Sequence, residues 1–186
     1  MPFCGRTGCS RRESRSRAMI LFLFGVPGAG KSFVGRILRD EFGFYFHDAD
    51  HDLPDSMRGA LATKQPVTDA MRDHFFERVV ASMRRLAAQH ERLAVAQTLM
   101  KDKHRRVIQA AFPQAHFIRV ESPPDLIESR FLQRTSYLID LEDARRISAQ
   151  FEPPTLHHRV LQNVDGRGDV IGQLGALLKE FPAEIS

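Results

Sequence analysis

Residues 24–32 read Phe-Gly-Val-Pro-Gly-Ala-Gly-Lys-Ser and follow directly on the apolar run Met19-Ile-Leu-Phe-Leu-Phe24. A continuous apolar run closed by glycine reads as a strand buried on both faces. Three glycines and a proline then suit neither helix nor strand. Phe33, Val34, Ile37 and Leu38 recur at helical spacing until Gly43 ends the helix. The turn between strand and helix fits G-x-x-x-x-G-K-[ST]. Such a turn can aim successive backbone N–H groups at one anion, and the helix N-terminus adds partial positive charge. Gly25, Val26, Pro27, Gly28, Ala29, Gly30, Lys31 and Ser32 are therefore expected to cradle the phosphates of a nucleoside triphosphate, with ATP the leading candidate. Lys31 offers a point charge to the terminal phosphates, and Ser32 a hydroxyl to Mg2+.

The rest of the chain continues the alternation. Phe44-Tyr-Phe46 reads as a second strand, closing in His47-Asp48-Ala49-Asp50. Pro54 and Pro66 punctuate a looser segment with room for one short helix. Thr68 reads as an N-cap, and the apolar positions from Met71 to Leu86 give a long amphipathic helix to about His90. Leu93–Ala96 is a third strand, and a helix from Lys101 to Phe112 stops at Pro113. His116–Val120 is a fourth strand, and Pro123 opens a helix through Phe131. Residues 140–151 give a further helix, broken by Pro153-Pro154. Arg159–Asn163 is the fifth strand, and Val170 to Leu178 lie on the last helix. The pattern implies an α/β fold, three layers with a five-stranded parallel sheet. Ligands of such sheets bind beyond the C-terminal strand ends.

The chain has 186 residues, 42% hydrophobic and 27% charged, which fits one globular domain. The domain is expected over residues 19–186, after a disordered basic tail over 1–18. Net charge is +4, and five arginines with one glutamate in that tail account for all of it. The other 168 residues balance, 22 basic against 22 acidic. The pI of about 9.4 is thus a property of the tail, and no nucleic-acid partner is expected of the domain. Both cysteines, Cys4 and Cys9, also lie in the tail, so the domain is cysteine-free, which suits a cytoplasmic location. No apolar run approaches 18 residues, so no membrane partner is expected. Met19 offers an alternative start of translation.

Asp48-x-Asp50 follows the second strand. Alternation along an extended chain would send both carboxylates one way, Asp48 toward Mg2+ and Asp50 toward an attacking hydroxyl. Beyond this pair, the stretch DADHDLPDSMRGALATKQPVTDAMR (residues 48–72), then QTLMKDKHRR, IESRFLQR and AQFEPP, together resemble the gluconate kinase branch of the shikimate kinase-like small-molecule kinases. The resemblance covers about Ile20 to Val170. Asp48, Asp50, Pro54, Pro66, Arg72, Lys101, Arg105, Arg130 and Arg134 fall where its pattern wants them. Leu53 stands where the pattern has His, Met57 where it has Asn, Gln97-Thr98-Leu99 where it has Cys-Ser-Ala, and Ser136-Tyr137 where it has His-Phe.

The resemblance implies a P-loop NTPase of nucleoside-monophosphate-kinase-like architecture. It implies transfer of the γ-phosphoryl of ATP, with Mg2+, to a hydroxyl of a small metabolite, a sugar acid such as gluconate. Lys31, Asp50 and Arg130 are the candidate catalytic residues, and Ser32 and Asp48 the candidate metal ligands. Arg130 and Arg134, four apart and so on one helix face, would close over the phosphates; Arg145 and Arg146 are weaker candidates for that task. Arg72 and Lys101 join Asp50 as candidate acceptor residues, Arg72 by holding a carboxylate. The alternatives are a shikimate-like or nucleoside kinase, and a nucleotide-binding regulator with a degraded acceptor site. The oligomeric state stays open, a homodimer included.

Overall fold

A computed structural model describes residues 18–133 and 139–181. The basic tail with Cys4 and Cys9, together with Arg134 and Ser136-Tyr137, lies outside the described residues.

The apolar run from Met19 to Phe24 forms β1, and alternation along it divides the molecule into two cores. Ile20, Phe22 and Phe24 face one way, against Phe75, Phe76, Val79, Met83 and Ile108. Leu21 and Leu23 face the other, against Val34, Ile37, Leu38, Val170 and Leu174. Because both faces are covered, no polar residue is tolerated in the strand.

Four more strands join it: β2 (Tyr45–Asp48), β3 (Arg92–Ala96), β4 (His116–Glu121) and β5 (Arg159–Gln162). All are parallel, in the order β2-β3-β1-β4-β5. Leu21 is level with Ala94 on one side and His116 on the other. The helices are α1 (Lys31–Phe42), α2 (Asp55–Ala62), α3 (Asp69–Ala87), α4 (Asp102–Ala111), α5 (Pro124–Leu132), α6 (Leu141–Ser148) and α7 (Arg167–Glu180). Helices α1 and α7 cover one face, and α3 and α4 the other. The expected three-layer α/β/α architecture with five parallel strands is thus found. Adjacent strands β1 and β3 send their following helices to opposite faces, which opens a crevice at their C-terminal ends.

Most boundaries fall where the caps put them. Gly43 ends α1 at φ 70°, its N–H donating to Leu38 O. The Thr68 hydroxyl accepts the Met71 N–H at 3.2 Å and starts α3. Asp140 caps α6 through the Asp143 N–H, so that helix begins one residue later than expected and ends at Ser148. The second strand differs more. It runs to Asp48, and residues 49–52 form a 3-10 turn, so Asp48 and Asp50 do not alternate along one extended segment.

Helix α1 meets β2 through Gly35. A Cβ there would sit 2.1 Å from the Phe46 ring. Gly172 in α7 has nothing within 4 Å of the same position. Helix propensity alone favours alanine at both sites. We expect Gly35→Ala to lower stability by about 1–3 kcal/mol and Gly172→Ala to raise it by up to about 1 kcal/mol, both read from urea denaturation midpoints.

Candidate active site

A cavity of about 860 Å³ opens at the C-terminal ends of the central strands. Gly28, Gly30, Lys31, Ser32, Asp48 and Asp50 line one part of it, and Arg72, Gln97 and Arg130 line others.

The loop after β1 is held from behind by its carbonyls. Lys31 Nζ donates to Gly25 O at 3.1 Å and Val26 O at 2.9 Å. Arg130 Nη1 donates to Gly28 O at 3.1 Å. Ala29 O accepts from Ser122 Oγ at 3.0 Å and from Asn163 Nδ2 at 2.9 Å. Since N–H and C=O point oppositely across each peptide, holding the Gly25 and Ala29 carbonyls turns the Val26 and Gly30 N–H groups the other way, while Pro27 has no N–H and the Ala29 N–H donates to Val26 O at 3.3 Å. The first amides of α1 have no helical acceptor and add to the same field. Two glycines are required sterically. Gly25, at φ 148°, would place a Cβ 2.4 Å from Val120 O, and Gly30, at φ 94°, would place one 2.0 Å from Asn163 Nδ2.

Burial strips water from the Lys31 ammonium and pulls its pKa down to about 8, against the opposing pull of Asp50 and Asp48. A cation so placed favours arrival of a polyanion.

Ser32 Oγ donates to Asp48 Oδ2 at 2.6 Å, bringing a hydroxyl from α1 against a carboxylate from β2. Asp48 Oδ1 accepts the Asp50 N–H at 3.2 Å and caps the 3-10 turn. Gln97 Nε2, at the end of β3, donates to Asp50 Oδ1 at 2.9 Å. Its Oε1 accepts the Thr98 N–H at 2.5 Å, which fixes which end of the amide faces Asp50. Asp52 anchors the turn from below. Burial works to raise its pKa, but hydrogen bonds from His47 at 2.7 Å and Ser82 at 2.6 Å outweigh this and hold it below the usual carboxylate range.

The structure thus brings the loop residues, Asp48, Asp50, Arg72 and Arg130 to one cleft. Arg130 grips the loop, with Nη1 also donating to Ser122 Oγ at 2.8 Å and Nη2 to Asn163 O at 3.1 Å. Arg72 Nη1 donates to Val67 O at 2.8 Å. Lys101 is not brought in: it pairs with Glu152 at 3.1 Å and does not line the cavity, whereas Met100 and His104 do. Arg145 pairs with Glu128 and Arg146 with Asp143, and only Arg146 of these two arginines reaches the cavity wall. Arg105 is fully buried, donating to Leu99 O, Met100 O and Glu152 O, with its guanidinium over Phe24 and Phe151. Sequence reasoning missed Ser122, Asn163 and the role of Gln97. The available signal was positional, since each of these residues ends or follows a strand on the cleft side. Among the described residues no group of three or more His, Cys, Asp or Glu is placed to hold a metal, and no helix is long and apolar enough to cross a membrane.

The chain is similar to known sugar-acid and sugar kinases. A gluconokinase of Arabidopsis thaliana is 26% identical over 131 residues, 63% of this chain and 67% of the relative. An unliganded sugar kinase from Janibacter sp. HTCC2649 superposes with a TM-score of 0.76 at 19% identity, covering 91% of this chain and 99% of that one. A gluconokinase from Sinorhizobium meliloti 1021 gives 0.68 at 20% identity, covering 89% and 95%. No protein-family model matches the chain. The resemblance to gluconate kinases seen in the motifs therefore extends to a curated relative, and the fold is that of the P-loop kinases.

Lys31 gives the folded protein a characteristic pH dependence. The unfolded chain holds this proton up to the ordinary lysine value of 10.5, and the folded chain releases it near 8. Unfolding therefore takes up a proton between these values, and stability rises with pH across that window, by up to roughly 3 kcal/mol from this group. We expect the rise to be absent in Lys31→Met, read as the difference between the two proteins' denaturation profiles from pH 8 to 10.5.

Proposed function

We propose that this protein is an ATP-dependent kinase that phosphorylates a hydroxyl of a small metabolite, with a sugar acid such as gluconate as acceptor. The observation that carries the reading is the Ser32–Asp48 contact of 2.6 Å in front of the inward-turned amides, with Asp50 in the same cleft. A hydroxyl beside a carboxylate is a hard oxygen pair that fits Mg2+, so Ser32 and Asp48 would hold it. When bound, Mg2+ supplies charge neutralisation at the β- and γ-phosphate oxygens.

The chain's own residues do the rest. The unpaired main-chain N–H groups of the loop and of the first turn of α1, with the Lys31 ammonium, bind and orient the triphosphate. Arg130 holds the loop in its binding shape, and Arg134, four residues on, is assigned to the phosphates as a closing cation. Arg72 offers a guanidinium to an acceptor carboxylate. Asp50, oriented by Gln97, takes the proton of the acceptor hydroxyl. The acceptor oxygen then bonds to the γ-phosphorus, the bond to the β–γ bridging oxygen breaks, and ADP leaves. The gluconokinase relative supports the sugar-acid acceptor.

Coupled ADP release against a panel of sugar acids, shikimate, polyols and nucleosides tests this reading. Asp50→Asn should lower kcat by about 10²–10⁴-fold while Mg·ATP affinity is retained. An unchanged rate removes Asp50 from the mechanism. ATP binding with no acceptor-dependent ADP from any compound would make the protein a nucleotide-binding regulator instead.

A further inference from the structure

The acceptor end of the cleft is short of polar partners. Leu53, Met57, Leu61, Phe75, Phe76 and Met100 line it. Leu53 follows Asp50 by three residues, and its N–H donates to Asp50 O at 3.3 Å. Its side chain is only 5% exposed and packs in the core with Phe75 and Phe76, so the wall beside Asp50 is rigid hydrocarbon. Met57 and Leu61 pack against the same core from α2.

Of the polar side chains along this wall, Gln97 and His104 are already engaged, and the Thr98 hydroxyl beside Gln97 is open to the cavity. Gln97 is 7% exposed, and both ends of its amide are used, on Asp50 and on the Thr98 N–H. His104 is buried, stacked on Phe76 with ring centroids 4.4 Å apart, and its Nε2 lies 2.9 Å from Asp73. Burial lowers its pKa, against the opposing hydrogen bond of Asp73. What remains is sparse. The Thr98 hydroxyl and Asp50 Oδ2 have no hydrogen-bond partner among the described residues, and neither have Arg72 Nε and Nη2, which leaves three places for polar groups of an acceptor and none on the Leu53–Met57 flank.

Resting on the kinase reading above, we infer that the preferred acceptor is a deoxygenated hydroxy acid. Its carboxylate meets Arg72, one hydroxyl meets Asp50 Oδ2, and C–H replaces O–H on the flank facing Leu53 and Met57. A fully hydroxylated acid buried in this chamber leaves hydroxyls against Leu, Met and Phe with no partner, and each such group carries its desolvation cost. An acid lacking the hydroxyl on that flank has nothing to desolvate there. An apolar wall discriminates against an added hydroxyl by about 10- to 100-fold.

The test compares gluconate with its 2-, 3- and 4-deoxy derivatives by coupled ADP release. At least one deoxy acid should exceed gluconate in kcat/KM by tenfold or more. Met57→Asn, at a half-buried position, should shrink that ratio by about tenfold, mainly through KM, with Mg·ATP affinity unchanged. Leu53→Asn should do the same if circular dichroism shows it folded, and Met57→Asn carries the test alone if it does not. Gluconate matching or beating every deoxy acid in the wild type overturns the inference and leaves the kinase standing. A preference for a deoxy acid that Met57→Asn leaves untouched also overturns it, because the wall is then not its source. Bound Mg·ATP with no acceptor-dependent ADP from any of the four acids overturns this inference, and the kinase reading falls with it only if the wider panel of shikimate, polyols and nucleosides gives none either.

Discussion

The orientation of a few peptide planes, from Gly25 to Gly30, governs the rest of the molecule. A peptide presents its N–H and its C=O on opposite sides, so amides can face an anion only if the carbonyls find partners elsewhere. Here four side chains supply them: Lys31 from α1, Ser122 from the end of β4, Arg130 from α5, and Asn163 from the end of β5. Three of the five sheet strands thus converge on one turn. Asn163 is 2% exposed, and its amide is sealed behind the loop, where the hydrogen bond to Ala29 O competes with little water. The arrangement also explains the glycines at positions 25 and 30. The loop lies so close to Val120 and Asn163 that a Cβ has no room.

The acidic half of the cleft is built on a different plan. Its carboxylates sit on a 3-10 turn, a poor element by itself, and the turn is held by side chains rather than by length. Asp48 caps it, Asp52 ties it to β2 through His47 and to α3 through Ser82, and Gln97 reaches across from β3 to fix Asp50. Ser32 then joins this turn to the phosphate loop. Two sites written far apart in the chain become one because β3 lies between β2 and β1.

Arg105 shows why a resemblance in residue type is not a role. A fully buried guanidinium is costly to desolvate, and burial lowers its pKa. Three backbone carbonyls, Asp102 and the faces of Phe24 and Phe151 offset that cost. In return, the segment after β3 that carries Gln97 and Thr98 is fastened to the loop before β5. Glu152 reinforces the same junction by accepting from Lys101 and from the Asp102 N–H.

Local chemistry was readable from the chain alone. The two-sided strand of residues 19–24, the glycine turn with Lys31 and Ser32, the caps at Gly43 and Thr68, and the alternation that makes the sheet parallel all follow from periodicity, φ preferences and side-chain length. These act within a few residues, so sequence order contains them. The order β2-β3-β1-β4-β5, the clasp of Ser122 and Asn163 on a loop more than 90 residues earlier, and the turning of Lys101 to Glu152 do not follow. Neither does the pairing of Gln97 with Asp50. Each depends on which strand ends become neighbours, and that is decided by packing two cores on opposite faces of one sheet.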